Sequence, residues 1–515
     1  MKKRTLPILS LLALLCSCGP TESKLVPPTP APSESTESDS SSVSEFSSAT
    51  TSQKETVDGV YQFYCVNDFH GSVMEQYNGK YYESGVAKYF GKLKELKAQD
   101  PDHTFIFSAG DMFQGSLESN DNHGHLVMDC MNETGFDAMT LGNHEFDYGP
   151  DRLMDIVSWA DFPILGGNVM VYDKGPTSTP WKDGAFPIST TIERGGNKLG
   201  VVGMIGYGQT SSITSKFVED VYFENPYQIC RKEATRLKEE EDCDMVIFIL
   251  HDDMTACQDY ATKEYFDGVF TGHKHTRNNS VYGGVPFVQS YCNGEAISHF
   301  ELTIKDGNVT CTGHENIWAN ESWTEDETLA QIRDSYVKAP EFAQKANADA
   351  GHVNGTLGAK EGVSNLVAKA IYEKYKPLHP NIVGAMQNGL RAPLSGDISY
   401  RDIYKAAPFT NHVVIAKVSG NEILNEGAMN SFYRADMASF EVDEFYEIAC
   451  IDFILYHQND KKSYNYFPSL NDYPDHILRD YEDYPFDIAF HYISEDLGGE
   501  VNANDFLNSS EGFGV

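Results

Sequence analysis

The chain has 515 residues, more than one hydrophobic core usually supports, so we expect about two to four domains. Hydrophobic residues make up 41% of the sequence and aromatic residues 12%, which is enough for substantial cores. The formal net charge is −37, and such an acidic balance argues against binding of polymeric nucleic acid, whose phosphate backbone requires many lysines and arginines. Small anionic substrates are compatible with it, because a bound metal ion supplies local positive charge.

The first residues have the pattern of a secretory signal. Three basic residues at 2–4 precede an apolar stretch at 6–15, which is about half the roughly 20 residues that a membrane-spanning helix needs. We therefore interpret residues 1–17 as a signal peptide. The Leu-Cys-Ser-Cys-Gly that follows the apolar stretch resembles a bacterial lipobox with Cys18 as the acylated residue. The alternative is an ordinary cleavable signal that contains cysteines. A lipid on Cys18 predicts an extracytoplasmic protein anchored to a bacterial membrane.

Residues 18–56 are rich in Ser, Thr, Pro and Glu and contain almost no apolar side chains. Such a segment cannot bury enough surface to offset the entropy lost on ordering. We predict that it is a disordered tether, which holds the folded part of the protein away from the membrane.

Between residues 57 and 304, one pattern occurs five times: a short apolar, β-branched or aromatic run ends in a polar residue beside Gly or Asn. Stretches with helical spacing, such as 85–98 and 227–241, separate several of these runs. Alternating strands and helices predict an α/β fold, in which ligands collect at the carboxyl ends of strands. Metal-competent residues lie at these ends: Asp68, His70, Asp111, Asn143, His251, His273 and His275.

Each of these residues has an ordinary explanation by itself, since Asp and Asn form turns and a single His is usually a core or surface residue. Their recurrence at five successive strand ends instead favours a metal site. Imidazole, carboxylate and amide oxygen ligands suit Zn, Mn, Fe or Co. The set exceeds the needs of one ion, so we expect two divalent ions about 3.5–4 Å apart that share a bridging carboxylate. Such a pair activates water and neutralises a phosphoryl group.

In this order, the blocks Asp-Phe-His, Gly-Asp, Gly-Asn-His-Glu-Phe-Asp, a strand-end His and Gly-His-Lys-His resemble the calcineurin-like metallophosphoesterases, specifically the bacterial 5′-nucleotidase family. They span residues 60–304, and the block at 142–147 is highly specific. The resemblance implies an N-terminal αββα sandwich. It also implies that the first ion is held by Asp68, His70, Asp111 and His275. The second would be held by Asp111, Asn143, His251 and His273.

The same resemblance assigns the catalytic role to His144, whose imidazole would face the substrate phosphate and stabilise its developing charge. Asp147 would orient this imidazole and raise its basicity. An alternative role for Asp147 is to cap the helix that is predicted to begin near Pro150, and the two roles are compatible.

Weaker similarity continues to about residue 467 and implies a second α/β domain that recognises the nucleotide. We predict a dimetal phosphoesterase domain at 57–322, a linker helix at 323–350 and a substrate-recognition domain at 351–515. The C-terminal half departs from the family pattern, because residues 458–463 replace a Gly-Gly-Asp-Gly motif. This departure leaves the nucleotide specificity open.

Two segments of the second domain resemble elements of the family that bind substrate. Residues 387–392 resemble its Gly-rich segment and contain Asn388 and Arg391, of which Arg391 would be a forked donor to the phosphate. Phe409 lies in a Pro-Phe-x-Asn element and would form one side of a base-stacking clamp, with Tyr464 as the second side. The alternative for Phe409 is a core aromatic beside a turn.

From these features we expect an extracytoplasmic hydrolase that converts nucleoside 5′-monophosphates or related nucleotides to nucleoside and phosphate. The alternatives on the same site are a 2′,3′-cyclic-nucleotide phosphodiesterase and a hydrolase of nucleotide sugars or other organophosphates. An alternative of another class is a non-catalytic surface lipoprotein. A small-molecule phosphoester is the expected partner, and membrane contact is expected only through the lipid anchor. The sequence leaves the oligomeric state open.

Overall fold

The computed structural model describes residues 56–77, 81–388, 390–435, 439–459 and 463–514. The predicted signal peptide, the lipid-bearing Cys18 and the predicted tether up to residue 55 lie outside the described residues. Among the residues that are described, no helix combines the length and the apolar character needed to cross a bilayer.

Two six-stranded sheets form the N-terminal half, and in both the central strands run parallel. In spatial order, the first sheet consists of Asn308–Trp318, Ala296–Lys305, Gly59–Val66, Thr104–Ser108, Ala138–Thr140 and Ile164–Leu165. The second consists of Arg277–Tyr282, Val285–Ser290, Gly268–Thr271, Met245–His251, Asn197–Ile205 and Ser189–Arg194. All five predicted strands are therefore present.

Aromatic side chains fill the space between these two sheets. Phe63 stacks on Phe105 and Phe300 with ring centroids 5.2 and 5.0 Å apart, and Phe270 of the second sheet stacks on Phe300 at 4.4 Å. These rings are fully buried, and the offset stacking adds to their large hydrophobic contribution. The apolar runs of the sequence form strands here because both faces of each central strand are covered.

Helices cover the outer faces of both sheets. Gly85–Gln99, His125–Thr134 and Pro150–Trp159 pack on the first sheet, and Pro226–Glu239 packs on the second. The second helix layer contributes Cys230, Ala234 and Leu237, which are buried against the sheet. The resulting αββα sandwich confirms the predicted fold of this half.

The predicted linker helix forms two helices, Glu327–Val337 and Pro340–Ala346. The side chain of Asp326 caps the first by accepting a hydrogen bond from the backbone N–H of Leu329 at 3.0 Å. Pro340 has no backbone N–H to donate to a helical hydrogen bond, and it disfavours a helical conformation at the residue before it. The first helix accordingly ends before Pro340, at Val337. Proline is well suited to the first position of a helix, and the second helix begins with it.

The C-terminal half contains a five-stranded and a three-stranded sheet. The first consists of Ser431–Arg434, Ile382–Gln387, Phe445–Ile451, Val413–Ser419 and Ile477–Asp480. The second consists of Leu394–Ser399, Asp349–Leu357 and Glu500–Asn502. The helices are Ser364–Tyr375, Tyr400–Ala406, Gly420–Gly427, Asp452–Leu455, Ser469–Asp472 and Pro485–His491. The expected second α/β region is confirmed.

Several shorter strands and one short helix, Leu117–Asn120, are also present. Val221–Phe223, Val169–Tyr172 and Pro176–Pro180 form a three-stranded sheet. Gln76–Tyr77 pairs with Tyr82–Glu83, and Gln458–Asn459 pairs with Ser463–Tyr464. The second of these hairpins lies in the stretch where the sequence departs from the family pattern.

Candidate dimetal site

The predicted metal ligands come together in two groups, although they come from distant parts of the sequence. The first group contains Asp68, His70 and His275, and the second contains Asp111, His251 and His273. Within each group, one possible ligand atom from each residue lies within 4.8 Å of the others. Asn143 joins the second group, because its Oδ1 lies 3.1 Å from His251 Nε2 and 2.8 Å from His273 Nδ1.

In the first group, the two imidazoles face each other, with 2.9 Å between the Nε2 atoms of His70 and His275. Nε2 of His275 is also 3.5 Å from Oδ1 of Asp68. The Nδ1–H of His70 donates to the backbone carbonyl of Gln114 at 3.0 Å, which leaves the Nε2 lone pair directed at His275. An imidazole oriented by a carbonyl at its other nitrogen is the usual geometry of a metal ligand.

His251 directs its Nε2 atom at two oxygen atoms in the second group. Its Nδ1–H donates to the carbonyl of Ala109 at 2.6 Å, so Nε2 faces Oδ2 of Asp111 and Oδ1 of Asn143, each at 3.1 Å. All three atoms are electron donors in the neutral state, and a cation between them satisfies all three. This donor set fits a divalent ion of the Zn, Mn, Fe or Co type.

The electrostatics of the second group also require a positive charge. Burial by itself disfavours protonation of His251, but the Asp111 carboxylate outweighs it and raises the pKa of His251 to about 10. Burial and, to a smaller extent, the neighbouring His251 together lower the pKa of His273 to about 4. One of the two imidazoles therefore stays neutral and free to bind a metal, while the buried carboxylate attracts a cation.

Five of the predicted ligands have a strained backbone. The φ angles of Asp68, His70, Asp111, His273 and His275 are +50°, +50°, +56°, +72° and +47°. A positive φ costs a residue other than glycine about 1–2 kcal/mol, and such strain persists only where the surrounding structure enforces it. The positive φ turns the chain immediately after each strand, so that the side chain points towards the site.

Two glycines allow the loops that carry Asp111 and Asn143 to interlock. A Cβ on Gly142 would lie 2.3 Å from Oδ1 of Asp111, and a Cβ on Gly110 would lie 2.6 Å from the backbone nitrogen of Gly142. Only residues without a side chain permit this approach.

Glu145 was not predicted from the sequence, and it holds these two loops together. Its carboxylate is fully buried and accepts hydrogen bonds from the backbone N–H groups of Asp111, Met112 and Gly142 at 2.9, 2.8 and 2.6 Å. Burial raises the pKa of Glu145 to about 7, as does the nearby Asp111. The sequence did contain a signal for Glu145, since it was a glutamate without an assigned role inside the most specific sequence block, residues 142–147.

We expect Glu145→Gln to weaken metal binding about 10- to 100-fold, the usual cost of losing a partner that orients ligands. Glutamine has one acceptor oxygen, so its NH₂ group would face backbone N–H groups that now donate to a carboxylate. Titration of the metal-free protein with Mn²⁺ or Zn²⁺ measures the change. Glu193→Gln, at an exposed glutamate of an edge strand, is the matched control. Unchanged affinity in Glu145→Gln would contradict the role inferred for this carboxylate.

His144 and Asp147 form the predicted pair, with Nδ1 of His144 2.7 Å from Oδ2 of Asp147. Burial disfavours the charged imidazole, but the carboxylates of Asp147 and Asp111 outweigh it and raise the pKa of His144 to about 9. The imidazole is therefore positively charged at neutral pH, and its ring centroid lies 5.2 Å from that of His70. The alternative role of Asp147 as a helix cap is not observed, since Gly149 precedes the helix that begins at Pro150.

Of the predicted substrate-binding residues, the structure brings Arg391 and Phe409 together, with the guanidinium of Arg391 4.7 Å from the ring centroid of Phe409. Asn388 instead donates to Oδ1 of Asn430 at 2.8 Å. The ring of Tyr464 packs near that of Tyr456, with centroids 6.4 Å apart.

Two family models match the chain. Residues 61–277 match the calcineurin-like phosphoesterase domain, and residues 337–431 match the 5′-nucleotidase C-terminal domain. The chain belongs to the 5′-nucleotidase family. It is accordingly a metal-dependent phosphoric ester hydrolase, and the first matched segment contains all the predicted metal ligands.

Individual relatives agree with this assignment. The chain is 26% identical over 408 residues to a 5′-nucleotidase of Diplobatis ommata, covering 69% of this chain and 68% of that protein. It is 22% identical over 418 residues to a 5′-nucleotidase of Vibrio cholerae, covering 70% and 73%. The crystal structure of a 5′-nucleotidase precursor from Thermus thermophilus shares the fold, with a TM-score of 0.67, 18% identity, and coverage of 86% of this chain and 99% of that one.

Proposed function

We propose that this 5′-nucleotidase family member hydrolyses nucleoside 5′-monophosphates or related nucleotides to nucleoside and phosphate, with two divalent ions of the Zn, Mn, Fe or Co type. The observation that carries the proposal is that two ligand groups lie beside a charged His144–Asp147 pair. When bound, such ions neutralise the charge of the phosphoryl oxygens and lower the pKa of water.

In this proposal the first ion is held by Asp68, His70, Asp111 and His275, and the second by Asp111, Asn143, His251 and His273. By the family resemblance, Asp111 would be the ligand that both ions share; its Oδ2 faces His251 at 3.1 Å and its Oδ1 accepts the backbone N–H of His144 at 2.8 Å. This second bond ties the proposed bridging carboxylate to the residue that carries the catalytic imidazole.

His144 acts on the phosphate as a charged donor. Asp147 accepts its Nδ1–H, which fixes the ring and leaves Nε2–H to donate to a phosphoryl oxygen as negative charge develops. A preorganised cationic donor of this kind stabilises the transition state more than the ground state.

The C-terminal domain supplies recognition in this proposal. Arg391 lies over the half-buried ring of Phe409, so one cationic and one aromatic group are presented together. Arg391 would pair with phosphate oxygens and Phe409 would stack on the base. Asn388 and Tyr464 are proposed as further substrate contacts, on the family resemblance alone.

The site of action is proposed to be outside the cytoplasm. Residues 1–17 are proposed as a signal peptide, and Cys18 as a lipidated residue that anchors the chain to a bacterial membrane. The substrate would then be a nucleotide outside the cytoplasm, and released nucleoside and phosphate would be available for uptake.

A substrate panel tests the proposal. The purified chain with Mn²⁺ or Zn²⁺ is expected to hydrolyse AMP and UMP with a higher kcat/KM than 2′,3′-cyclic AMP, UDP-glucose or a chromogenic phosphate diester. Phosphate release measures hydrolysis of the two monophosphates, and the monoester or chromophore that is formed measures hydrolysis of the other three. A higher kcat/KM for the cyclic nucleotide, the nucleotide sugar or the diester would contradict the proposed nucleotidase activity. It would support instead the phosphodiesterase, the nucleotide-sugar hydrolase or the organophosphate hydrolase, respectively. Hydrolysis of none, with no bound ions, would support a binding protein instead.

A further inference from the structure

Gln114 contacts both the candidate metal site and the C-terminal domain. Its backbone carbonyl accepts the Nδ1–H of His70 at 3.0 Å, and its side-chain Nε2 donates to the backbone carbonyl of Pro408 at 2.9 Å. The residue is 3% exposed. Pro408 immediately precedes Phe409, so one side chain connects a proposed metal ligand to the proposed base-stacking ring.

The backbone around Gln114 has little freedom to move. A Cβ on the next residue, Gly115, would lie 2.1 Å from the carbonyl oxygen of His70, so this segment runs directly against the loop of the first metal group. The backbone N–H of Gly115 donates to Oδ1 of Asn120 at 2.9 Å, and Nδ2 of Asn120 donates to the hydroxyl of Tyr404 in the C-terminal domain. Tyr404 in turn donates to Pro408 at 3.4 Å.

The carbonyl of Pro408 therefore has two donors, Gln114 from the phosphoesterase domain and Tyr404 from its own domain. These bonds are buried, where an unsatisfied carbonyl would be costly. Removing the Gln114 donor leaves only the longer bond from Tyr404. The peptide between Pro408 and Phe409 is then less firmly held, and the ring of Phe409 moves with it.

We infer that Gln114 is a positioning residue, which sets Phe409 relative to the metal site and so favours substrates that carry a nucleoside over simple phosphate esters. This inference rests on the proposed function. The inference requires no contact of Gln114 itself with the phosphate or the base. Its contact with His70 uses only the backbone and survives substitution, whereas its contact with Pro408 uses only the side chain.

Kinetics of the full chain with two substrates test the inference. AMP carries a nucleoside, and 4-nitrophenyl phosphate carries none. In Gln114→Ala, KM for AMP is expected to rise about five- to tenfold, the effect of one buried hydrogen bond, while KM and kcat for 4-nitrophenyl phosphate stay within about twofold. Gln114→Glu places a carboxylate oxygen against the carbonyl of Pro408 and is expected to raise KM for AMP at least as much.

Gln331→Ala, at an exposed glutamine of the helix Glu327–Val337, is the matched control. Metal content and the thermal unfolding midpoint show whether each variant is folded and loaded. An equal loss of kcat/KM on both substrates would mean that Gln114 acts only through His70. An unchanged KM for AMP would mean that Gln114 does not position Phe409. Either result overturns the inference. If the unaltered protein hydrolyses neither substrate, the proposed function fails as well.

Discussion

Asp111→Ala is expected to remove phosphate release and to lower metal content below two ions per chain. The carboxylate is 1% exposed and faces His251 with one oxygen and the backbone of His144 with the other. Alanine would remove the carboxylate that faces Nε2 of His251, and the proposed ligand shared by the two ions would be lost. We expect kcat/KM for AMP to fall by at least about 1,000-fold, since metal ions supply several kcal/mol of transition-state stabilisation.

Metal analysis of the purified protein and phosphate release from AMP measure the two effects. Asp102→Ala, at an exposed aspartate of a turn in the same domain, controls for the loss of one acidic residue. Retention of two ions and of activity in Asp111→Ala would exclude Asp111 as the bridging ligand.

His144→Ala is expected to lower kcat by about 100- to 10,000-fold, the range found for a positioned proton donor or charged group, and to leave metal content unchanged. The imidazole pairs with Asp147 rather than with a predicted metal ligand. The bond from His144 to Asp111 uses the backbone N–H, which alanine retains. This variant should therefore lose catalytic rate and keep its bound metal ions.

Single-turnover kinetics and metal analysis of the same preparation check this expectation. His314→Ala, at an exposed histidine of an edge strand, is the matched control. Asp147→Asn should have a smaller effect than His144→Ala, because an amide oxygen still accepts the Nδ1–H but no longer charges the ring. Turnover at the unaltered rate in His144→Ala would disprove the role proposed for this residue.

Local sequence was sufficient for the strand ends, and the family resemblance was needed to predict the His144–Asp147 pair. Apolar runs that end in Gly or Asn predicted the five strands, and each is present. A spacing of three residues brings the side chains of His144 and Asp147 to one side of a single turn, here the 3-10 turn His144–Phe146, and the hydrogen bond between them forms within it. The linker was predicted as one helix, but it forms two, of which the second begins at Pro340.

Contacts between distant segments could not be predicted in this way. Glu145 was missed because its three partners include Asp111 and Met112, which lie more than thirty residues before it. Gln114 was missed because its side-chain partner, Pro408, lies in the other domain. Neither residue's spacing or type identifies its partners, since each binds backbone groups and backbone groups are the same at every residue.

The sequence by itself determined which side chains stand at the strand ends and therefore which ligand types, charges and local hydrogen bonds are available. Those properties depend on residue type, hydrophobic period and turns of a few residues. Only the tertiary structure decided which imidazole faces which carboxylate and which loops Glu145 and Gln114 join. These pairings depend on how the two sheets and the two domains pack. Packing brings together residues that lie far apart along the chain, and nothing in the local sequence of either residue indicates the contact.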